Sequence, residues 1–447
     1  MRNVRVPRLC AVAIGVMLFA GLGCMQNGTG SSSKGPVTLR FMTWVTPDLV
    51  TLQTKMCHEF ERLHPDIKID YSYVRGPYSD KLLTMFVGDT APDVFWLDVD
   101  SARHWVQRGV IFDMTSYVER DLKEEDYLLG SFDAGRFGRR MYALCDGVGP
   151  VVVCYNKTAF DRAGISYPDG EWDWKEFRDL ANKLTLRDER RRVSQFGYCG
   201  FQWDTLAWRP FLYVYGGHLF NEDGTKCIFD EPITIEAMKY LHALSEEDRV
   251  MPSPNAAEQG APLHLFISNR AALMFSGSWT RRDLRRVKGM RWGIAHMPYG
   301  SNGKRSTFLA QRLLAISAHT KHPKEAWEFV RYQMSYDGMK VYLEGGDAIP
   351  TLKSIALGPF IEFDPRYPEE NNNRLYIEAM SYAEVERTSP YFELTQADAL
   401  VSPEIERYLI LNEITAEEAV DRSARRMRIE MKKNEQREAR RHAGREN

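Results

Sequence analysis

Two tryptophans and an aspartate each follow a predicted strand. Trp44 ends the alternating run 37–43, Asp98 follows the apolar run 94–97, and Trp279 comes shortly after a third apolar run. Open α/β sheets bind ligands outside the carboxyl ends of their strands. A flat indole packs on an apolar molecular face, and a carboxylate accepts hydrogen bonds from hydroxyl groups. These three residues are therefore candidates for one binding site.

Sequence motifs for catalysis or metal binding are incomplete. The chain contains no Gly-x-Ser-x-Gly sequence, and His58-Glu59 lacks the second histidine of a zinc-protease helix. The loop Gly300–Ser306 lacks the first glycine of a phosphate-binding loop, because residue 298 is proline. Acidic residues could pair as glycosidase carboxylates, but no sequence rule selects a pair. The sequence therefore predicts neither a metal nor a cofactor.

The amino terminus is typical of an export signal. Three arginines precede the apolar run Leu9–Gly23, which small residues close just before Cys24. The run has 15 residues, fewer than the roughly 18 expected of a membrane span. We expect cleavage before Cys24 and lipid modification of that cysteine, as in a bacterial lipoprotein. An ordinary signal peptide or membrane anchor is the alternative, because Gly21 stands where lipoprotein signals usually carry leucine.

Length and composition indicate a protein with two globular domains. The 447 residues are too many for one ordinary core. A net charge of −2 argues against a nucleic-acid partner. Five cysteines follow Cys24 without a Cys-x-x-Cys pair, so the sequence leaves open either one disulfide or buried thiols.

Strand and helix patterns alternate along the chain, which predicts an α/β fold with largely parallel sheets. Residues 37–43 and 67–73 alternate as strands do, and helical spacing of apolar residues fills 47–63 between them. Asp173 and Glu176 resemble a capping box at the start of a helix. Further strands are expected at 94–97, 149–155, 271–276 and 313–317.

Eight sequence blocks occur in a characteristic order. They are Phe60–Ile69, Tyr78–Leu83, Gly88–Val94, Tyr142–Leu144, Tyr155–Lys157, Ala163–Ile165, Ala272–Trp279 and Ala315–Ser317. Together they resemble the extracellular solute-binding proteins of the sugar-binding class, which are the receptor components of ABC importers. The resemblance covers nearly all of the chain after the predicted signal.

The resemblance implies a two-lobed, periplasmic-binding-protein-like fold of type II, with a hinge between the lobes. Each lobe would be a central, mostly parallel sheet flanked by helices. The expected segments are a signal peptide (1–23), a lipid-anchored linker (24–36), lobe 1 (37–147 plus 312–334) and lobe 2 (148–308 plus 335–447).

The resemblance also adds candidate ligand contacts. Asp146 lies where relatives enter the first hinge, and Trp203, favoured over Trp208, would stack on the ligand from the second lobe. Arg312 stands near the second crossing, where many relatives carry glycine. It is therefore either a ligand contact or a sign that the crossing lies elsewhere. Gly345–Asp347 is a cleft loop or a helix end.

The implied function is that of a substrate-binding lipoprotein of an ABC importer, which captures a mono- or oligosaccharide and breaks no bond. The expected partners are the carbohydrate, the permease subunits and the membrane through the amino-terminal lipid. We expect an exported, envelope-anchored monomer without a nucleic-acid partner. An exported glycan-active enzyme, a sensing lipoprotein and a phosphorylated polyol as ligand remain alternatives.

The region from residue 416 is basic and carries apolar residues at helical spacing. It is expected to be an amphipathic helix whose basic face is either solvated or in contact with anionic lipids.

Overall fold

A computed structural model describes residues 35–44, 47–76, 78–201, 207–252, 261–391 and 394–443. The predicted signal peptide, Cys24 and Trp203 lie outside the described residues. Within those ranges, none of the helices combines the length and the apolar character needed to cross a membrane.

One sheet forms the first lobe. Its strands are β1 (Val37–Trp44), β2 (Ile67–Val74), β3 (Val94–Asp98), β6 (Ala143–Pro150), β12 (Thr307–Ile316), β13 (Ile349–Pro350) and β14 (Ala383–Glu384). They lie in the order β13-β6-β12-β3-β1-β2, with β14 beside the start of β12. Because β1 pairs in parallel with both β2 and β3, the carboxyl ends that carry Trp44 and Asp98 meet at one edge.

Another sheet forms the second lobe. Its strands are β7 (Val152–Asn156), β8 (Leu186–Arg187), β9 (Val193–Phe201), β10 (Ala271–Ser276) and β11 (Trp292–Ala295), in the order β11-β7-β10-β9-β8. A small hairpin is made by β4 (Arg136–Phe137) and β5 (Arg140–Met141). Both main sheets are mixed rather than mostly parallel, because β12 runs against β3 and β6, and β7 runs against β10 and β11.

Helices flank the two sheets. They are α1 (Pro47–Leu63), α2 (Tyr78–Val87), α3 (Val99–Gln107), α4 (Thr115–Asp121), α5 (Lys157–Ala163), α6 (Trp174–Leu184), α7 (Trp208–Tyr215), α8 (Pro232–His242), α9 (Pro262–Ile267), α10 (Arg281–Leu284), α11 (Pro323–Gln333), α12 (Tyr336–Gly345), α13 (Lys353–Ala356), α14 (Arg374–Ala379), α15 (Leu394–Leu409) and α16 (Ala416–Ala443).

Local sequence signals explain several helix ends. The predicted capping box is present at α6, where the Asp173 carboxylate accepts from the Glu176 backbone N–H at 2.8 Å and the Glu176 carboxylate accepts from the Asp173 N–H at 2.9 Å. Helix α5 ends at Gly164, whose φ of +67° suits glycine. The amphipathic pattern from residue 416 does form the long helix α16.

The segment 149–155, predicted as one strand, is the end of one strand and the start of another. β6 ends at Pro150 in the first sheet, and β7 begins at Val152 in the second. The β-branched residues 151–153 all follow Pro150, so the prediction joined two strands across a proline, a residue that commonly ends strand pairing. β12 runs beside this crossing and pairs with β6 from Leu309 to Ala315.

The segment 336–350, which the sequence analysis placed in the second lobe, lies against the first sheet. Tyr342 of α12 shares a core cluster with Trp96 of β3, and Ile349 of β13 pairs with Val148 of β6. A helical repeat shows which face of a helix is apolar but not which sheet that face covers. Residues 148–150 of β6, 307–308 of β12 and 383–384 of β14 were also predicted in the second lobe, yet they belong to the first sheet. The other predicted lobe boundaries stay predictions.

The cysteines of the described residues are free thiols. Cys57, Cys145, Cys154, Cys199 and Cys227 are all buried and unpaired. Burial raises the pKa of the Cys154 thiol to about 12. Of the two alternatives that the sequence left open, the structure therefore has buried thiols rather than a disulfide.

Candidate functional site

A cavity of about 710 Å³ is lined by residues from both lobes. Its volume falls within the range of roughly 300–1,000 Å³ that is typical of small-molecule sites. Trp44, Asp98, Trp279 and Arg312 all line it. The structure thus brings together four residues that stand far apart in the sequence. Whether each of them touches a ligand stays a prediction.

Trp44 and its aromatic neighbours form the wall of the first lobe. The Trp44 ring centroid lies 5.1 Å from that of Trp96 and 5.4 Å from that of Tyr78, with tilted or edge-on geometry. The Tyr78 hydroxyl donates to the Trp96 carbonyl at 2.8 Å and so ties this group to β3. Edge-to-face packing of this kind fixes the orientation of an indole. Trp44 is therefore a preformed flat surface at the cavity.

The wall of the second lobe combines Trp279 with polar groups of α7. Trp279 lies in the turn Ser278–Thr280 that follows β10. Arg209 of α7 lies with Nη1 3.1 Å from Glu386 Oε1 and Nε 3.4 Å from Asp398 Oδ1, and Arg209 and Glu386 line the cavity. Charged groups that are held in place at a cavity wall are suited to hydrogen bonds with a ligand's hydroxyl groups.

Arg209 was not predicted from the sequence, in which only the tryptophans of this region were candidates for ligand contact. Trp208, its neighbour, belongs to the core of the second lobe, and its indole N–H donates to Ser402 Oγ at 3.1 Å. One step along a helix turns the next side chain by about 100°. The adjacent arginine therefore faces the cavity while the tryptophan does not line it.

Arg312 contributes to the cavity wall between two aromatic rings. Its guanidinium carbon lies 4.4 Å from the Trp96 ring centroid and 4.2 Å from that of Tyr342. A guanidinium over an aromatic face is attracted by the ring's negative charge, more strongly when water is excluded. Arg312 itself pairs in register with Asp98 of β3 and Gly147 of β6. The residue thus lies in a strand beside the first crossing and also borders the cavity.

Buried carboxylates fix the Arg312 guanidinium. Its Nε donates to Asp146 Oδ1 at 2.8 Å, and its Nη1 donates to Asp347 Oδ2 at 2.6 Å. Arg282 Nη1 donates to the second oxygen of Asp347 at 3.1 Å. Burial lowers the pKa of Arg312, but Asp146 and Asp347 raise it by more, so the group stays charged. We call Asp146, Arg312, Asp347 and Arg282 the junction network.

Asp146 is part of the junction network rather than of the cavity wall. Its side chain is fully buried, and the residue is absent from the lining. Burial raises the pKa of the Asp146 carboxyl, and the Arg312 guanidinium opposes that rise. The structure thus gives Asp146 a role in holding Arg312, while direct contact with a ligand stays a prediction.

Gln311 is a cavity residue that sequence reasoning did not find. It is 7% exposed and lines the cavity, yet neither Nε2 nor Oε1 of its amide has a hydrogen-bond partner in the part of the chain that the structure describes. Buried amides without partners cost free energy, so they are uncommon in folded proteins. A glutamine in a strand carries no sequence signal for this placement.

Gln311→Met should raise the free energy of unfolding of the unliganded protein by about 1 kcal/mol, because it removes two unsatisfied buried polar atoms at similar volume. Chemical denaturation measures this change. Gln195→Met is the matched control, since Gln195 is also buried, at 3% exposed, but donates to the Leu184 carbonyl at 2.7 Å. The control variant should have a lower free energy of unfolding. A loss of stability in both variants would show that the Gln311 amide makes hydrogen bonds in solution.

Within the described ranges, no group of three or more histidine, cysteine, aspartate or glutamate side chains is arranged to hold a metal ion. The aromatic surfaces and paired charges of the cavity are suited to holding a polar molecule by stacking and hydrogen bonds.

An α/β protein of two lobes, with a ligand-sized cavity lined by both, has the architecture of a solute receptor. The sequence profile described as bacterial extracellular solute-binding protein matches residues 44–340. The chain therefore belongs to the bacterial extracellular solute-binding protein family, as the resemblance of its sequence blocks predicted.

Known proteins similar to this chain agree with that class. An uncharacterized lipoprotein from Streptomyces antibioticus is 27% identical over 362 residues, which cover 76% of this chain and 75% of the relative. The multiple sugar-binding protein of Streptococcus mutans is 23% identical over 350 residues, covering 74% and 80%. An ABC substrate-binding protein from Listeria monocytogenes, solved in complex with cycloalternan, matches with a TM-score of 0.79 at 23% identity and covers 89% of this chain and 99% of that one. The expected two-lobed fold is thus confirmed.

Proposed function

We propose that this protein is the substrate-binding component of an ABC importer and that it captures a mono- or oligosaccharide in the cavity between its lobes. The observation that carries the proposal is that Trp44 of the first lobe and Trp279 of the second line the same cavity. Sugars present C–H faces that stack on indoles and hydroxyl groups that bind to charged and amide side chains. The cavity provides both kinds of surface.

Ligand capture then depends on contacts with both lobes. A ligand that touches Trp44 and Trp279 together stabilises the arrangement in which the two walls are close, and it thereby shifts the population of lobe arrangements. Such a mechanism requires no bond cleavage, so we propose a receptor without catalytic activity. The names of the Streptococcus mutans and Listeria monocytogenes proteins, which refer to a sugar and to bound cycloalternan, support a carbohydrate ligand.

The purified mature protein should therefore bind a carbohydrate without altering it. We expect one of the sugars bound in solved structures of similar proteins, namely cycloalternan, maltotriose or mannotriose, to raise the melting temperature, and calorimetry to give a 1:1 complex with that sugar. Chromatography of the incubated sugar should show no smaller products. Release of smaller sugars would identify a glycan-active enzyme instead, and absence of any shift across a broader carbohydrate panel would contradict a carbohydrate ligand.

We further propose that the mature chain is held at the cell envelope by a lipid on Cys24, as its amino-terminal sequence suggests. The lipoprotein name of the Streptomyces antibioticus relative supports this proposal. Cys24→Ser should release the protein from the membrane fraction, and a variant that stays membrane-bound would contradict lipid anchoring.

A further inference from the structure

The indole of Trp279 lies directly on the backbone of two glycines. A Cβ atom placed on Gly149 would lie 2.6 Å from Cζ3 and 2.8 Å from Cε3 of Trp279, and a Cβ atom on Gly277 would overlap the same ring. Carbon atoms that are not bonded to each other prefer separations of about 3.5–4.0 Å. Only glycine at both positions therefore leaves room for the indole where it lies.

Backbone conformation does not explain these glycines. Gly277 has φ −103° and ψ −172°, an extended conformation that any residue adopts, and Gly149 is absent from the glycines with positive φ. Alanine at either position would therefore meet no backbone strain. The space taken by the Trp279 ring is what requires glycine.

The two glycines come from different lobes. Gly149 lies in β6 of the first sheet, where it pairs with Ala310 of β12, and Gly277 directly follows β10 of the second sheet. The indole is thus held at the place where the chain passes between the lobes. Trp279 remains part of the cavity lining.

We propose that Gly149 and Gly277 are positioning residues that set the plane of the Trp279 indole and so fix the stacking surface for the ligand. We call this pair the glycine seat. The role of Trp279 as a stacking surface for the ligand rests on the proposed function. The steric contact between residue 149 and the indole exists in the unliganded protein and does not depend on any ligand. A larger residue at 149 would tilt or displace the Trp279 ring and so change its orientation relative to Trp44 across the cavity.

A double-mutant cycle of Gly149→Ala and Trp279→Ala tests the glycine seat in the unliganded protein. Gly149→Ala alone should lower the melting temperature by roughly 2–4 °C, because it overfills the space beside the indole. In the Trp279→Ala background the same change should alter the melting temperature by less than about 1 °C, because the ring is gone. Equal losses in both backgrounds, or no loss in either, would overturn the proposal. If Gly149→Ala alone does not fold, folding of the double variant supports the seat, and its failure to fold overturns it.

Calorimetry with maltotriose, mannotriose and cycloalternan tests the consequence for binding. Gly149→Ala should weaken binding about tenfold in the wild-type background and cause no further loss in Trp279→Ala. Unchanged affinity in Gly149→Ala would overturn the positioning role. If wild type binds none of these sugars, the proposal that they are ligands fails. The double-mutant cycle in the unliganded protein still tests whether residue 149 acts through the Trp279 indole.

Gly147→Ala is the matched control within the same strand. A Cβ atom there would lie 3.0 Å from the Ala348 side chain and 3.1 Å from Arg312 Nη2, and Trp279 is not among its nearest neighbours. The effect of this variant on stability should be the same with tryptophan or alanine at 279. A dependence on residue 279 equal to that of Gly149→Ala would mean that the coupling is not specific to the seat.

Discussion

Arg312→Met should lower the free energy of unfolding by about 3–5 kcal/mol, because it leaves the buried Asp146 carboxylate without a cation and leaves Asp347 with Arg282 alone. Asp146 would lose the hydrogen bond that Arg312 Nε donates at 2.8 Å, and Asp347 would lose the one that Arg312 Nη1 donates at 2.6 Å. The stacking of the guanidinium between Trp96 and Tyr342 would also be lost. Denaturant unfolding of the unliganded protein, followed by circular dichroism, measures the change.

Arg331→Met is the control for this prediction. Arg331 is 46% exposed and pairs with Glu328 at 2.5 Å, so its loss should cost less than about 1 kcal/mol. A loss of similar size in Arg312→Met would contradict the assignment of the junction network as a buried, charge-balanced group. Adding Asp146→Asn to Arg312→Met should recover part of the loss, because it removes one of the stranded charges.

The loss in Arg312→Met should also depend on pH with a defined sign. Burial already raises the pKa of Asp146, and the variant removes the cation that opposes that rise. A carboxyl with a folded-state pKa above its unfolded value binds its proton more tightly when folded, so stability rises as pH falls through the folded pKa. The deficit of the variant should therefore be smaller at about pH 5 than at about pH 8.

Trp44→Ala and Trp279→Ala should each weaken sugar binding by about 2 kcal/mol, or roughly 30-fold, because each removes a flat surface from one wall of the cavity. Isothermal titration calorimetry with the sugar that binds wild type measures the loss. Trp→Phe at the same positions should lose less, because a phenyl ring keeps part of the stacking face. Unchanged affinity in both alanine variants would remove these tryptophans from the site.

Tyr336→Ala is the control for the loss of an aromatic side chain. Tyr336 is 45% exposed and does not line the cavity, so its replacement should leave affinity unchanged. Melting temperatures of the unliganded variants separate binding from folding. The melting temperature is most informative for Trp44→Ala, because the Trp44 ring packs on Trp96 and Tyr78 and its removal also affects the stability of the fold.

The sequence predicted the class of this protein and part of its site. Alternating and helical patterns identified several strands and helices, among them β1, β2, β3, α1 and α16, because hydrophobic periodicity reflects which faces are buried. Strand-end position then selected Trp44, Asp98 and Trp279, and all of them line one cavity. Trp44 and Asp98 end neighbouring parallel strands of one sheet, so their proximity follows from the strand pattern. Trp279 follows a strand of the other sheet, and only the meeting of the lobes brings it to the same cavity.

Only the tertiary structure decided how the lobes meet. Residues 149–155 were predicted as one strand, yet the chain changes sheets at Val151, and the segment 336–350 covers the first sheet rather than the second. Asp146 is a predicted ligand contact, and only the structure shows that it is buried and hydrogen-bonded to Arg312. Partners such as these lie up to 166 residues apart in the chain. Charge balance and ring-to-glycine contact are properties of groups brought together by folding, so no local pattern in the sequence specifies them.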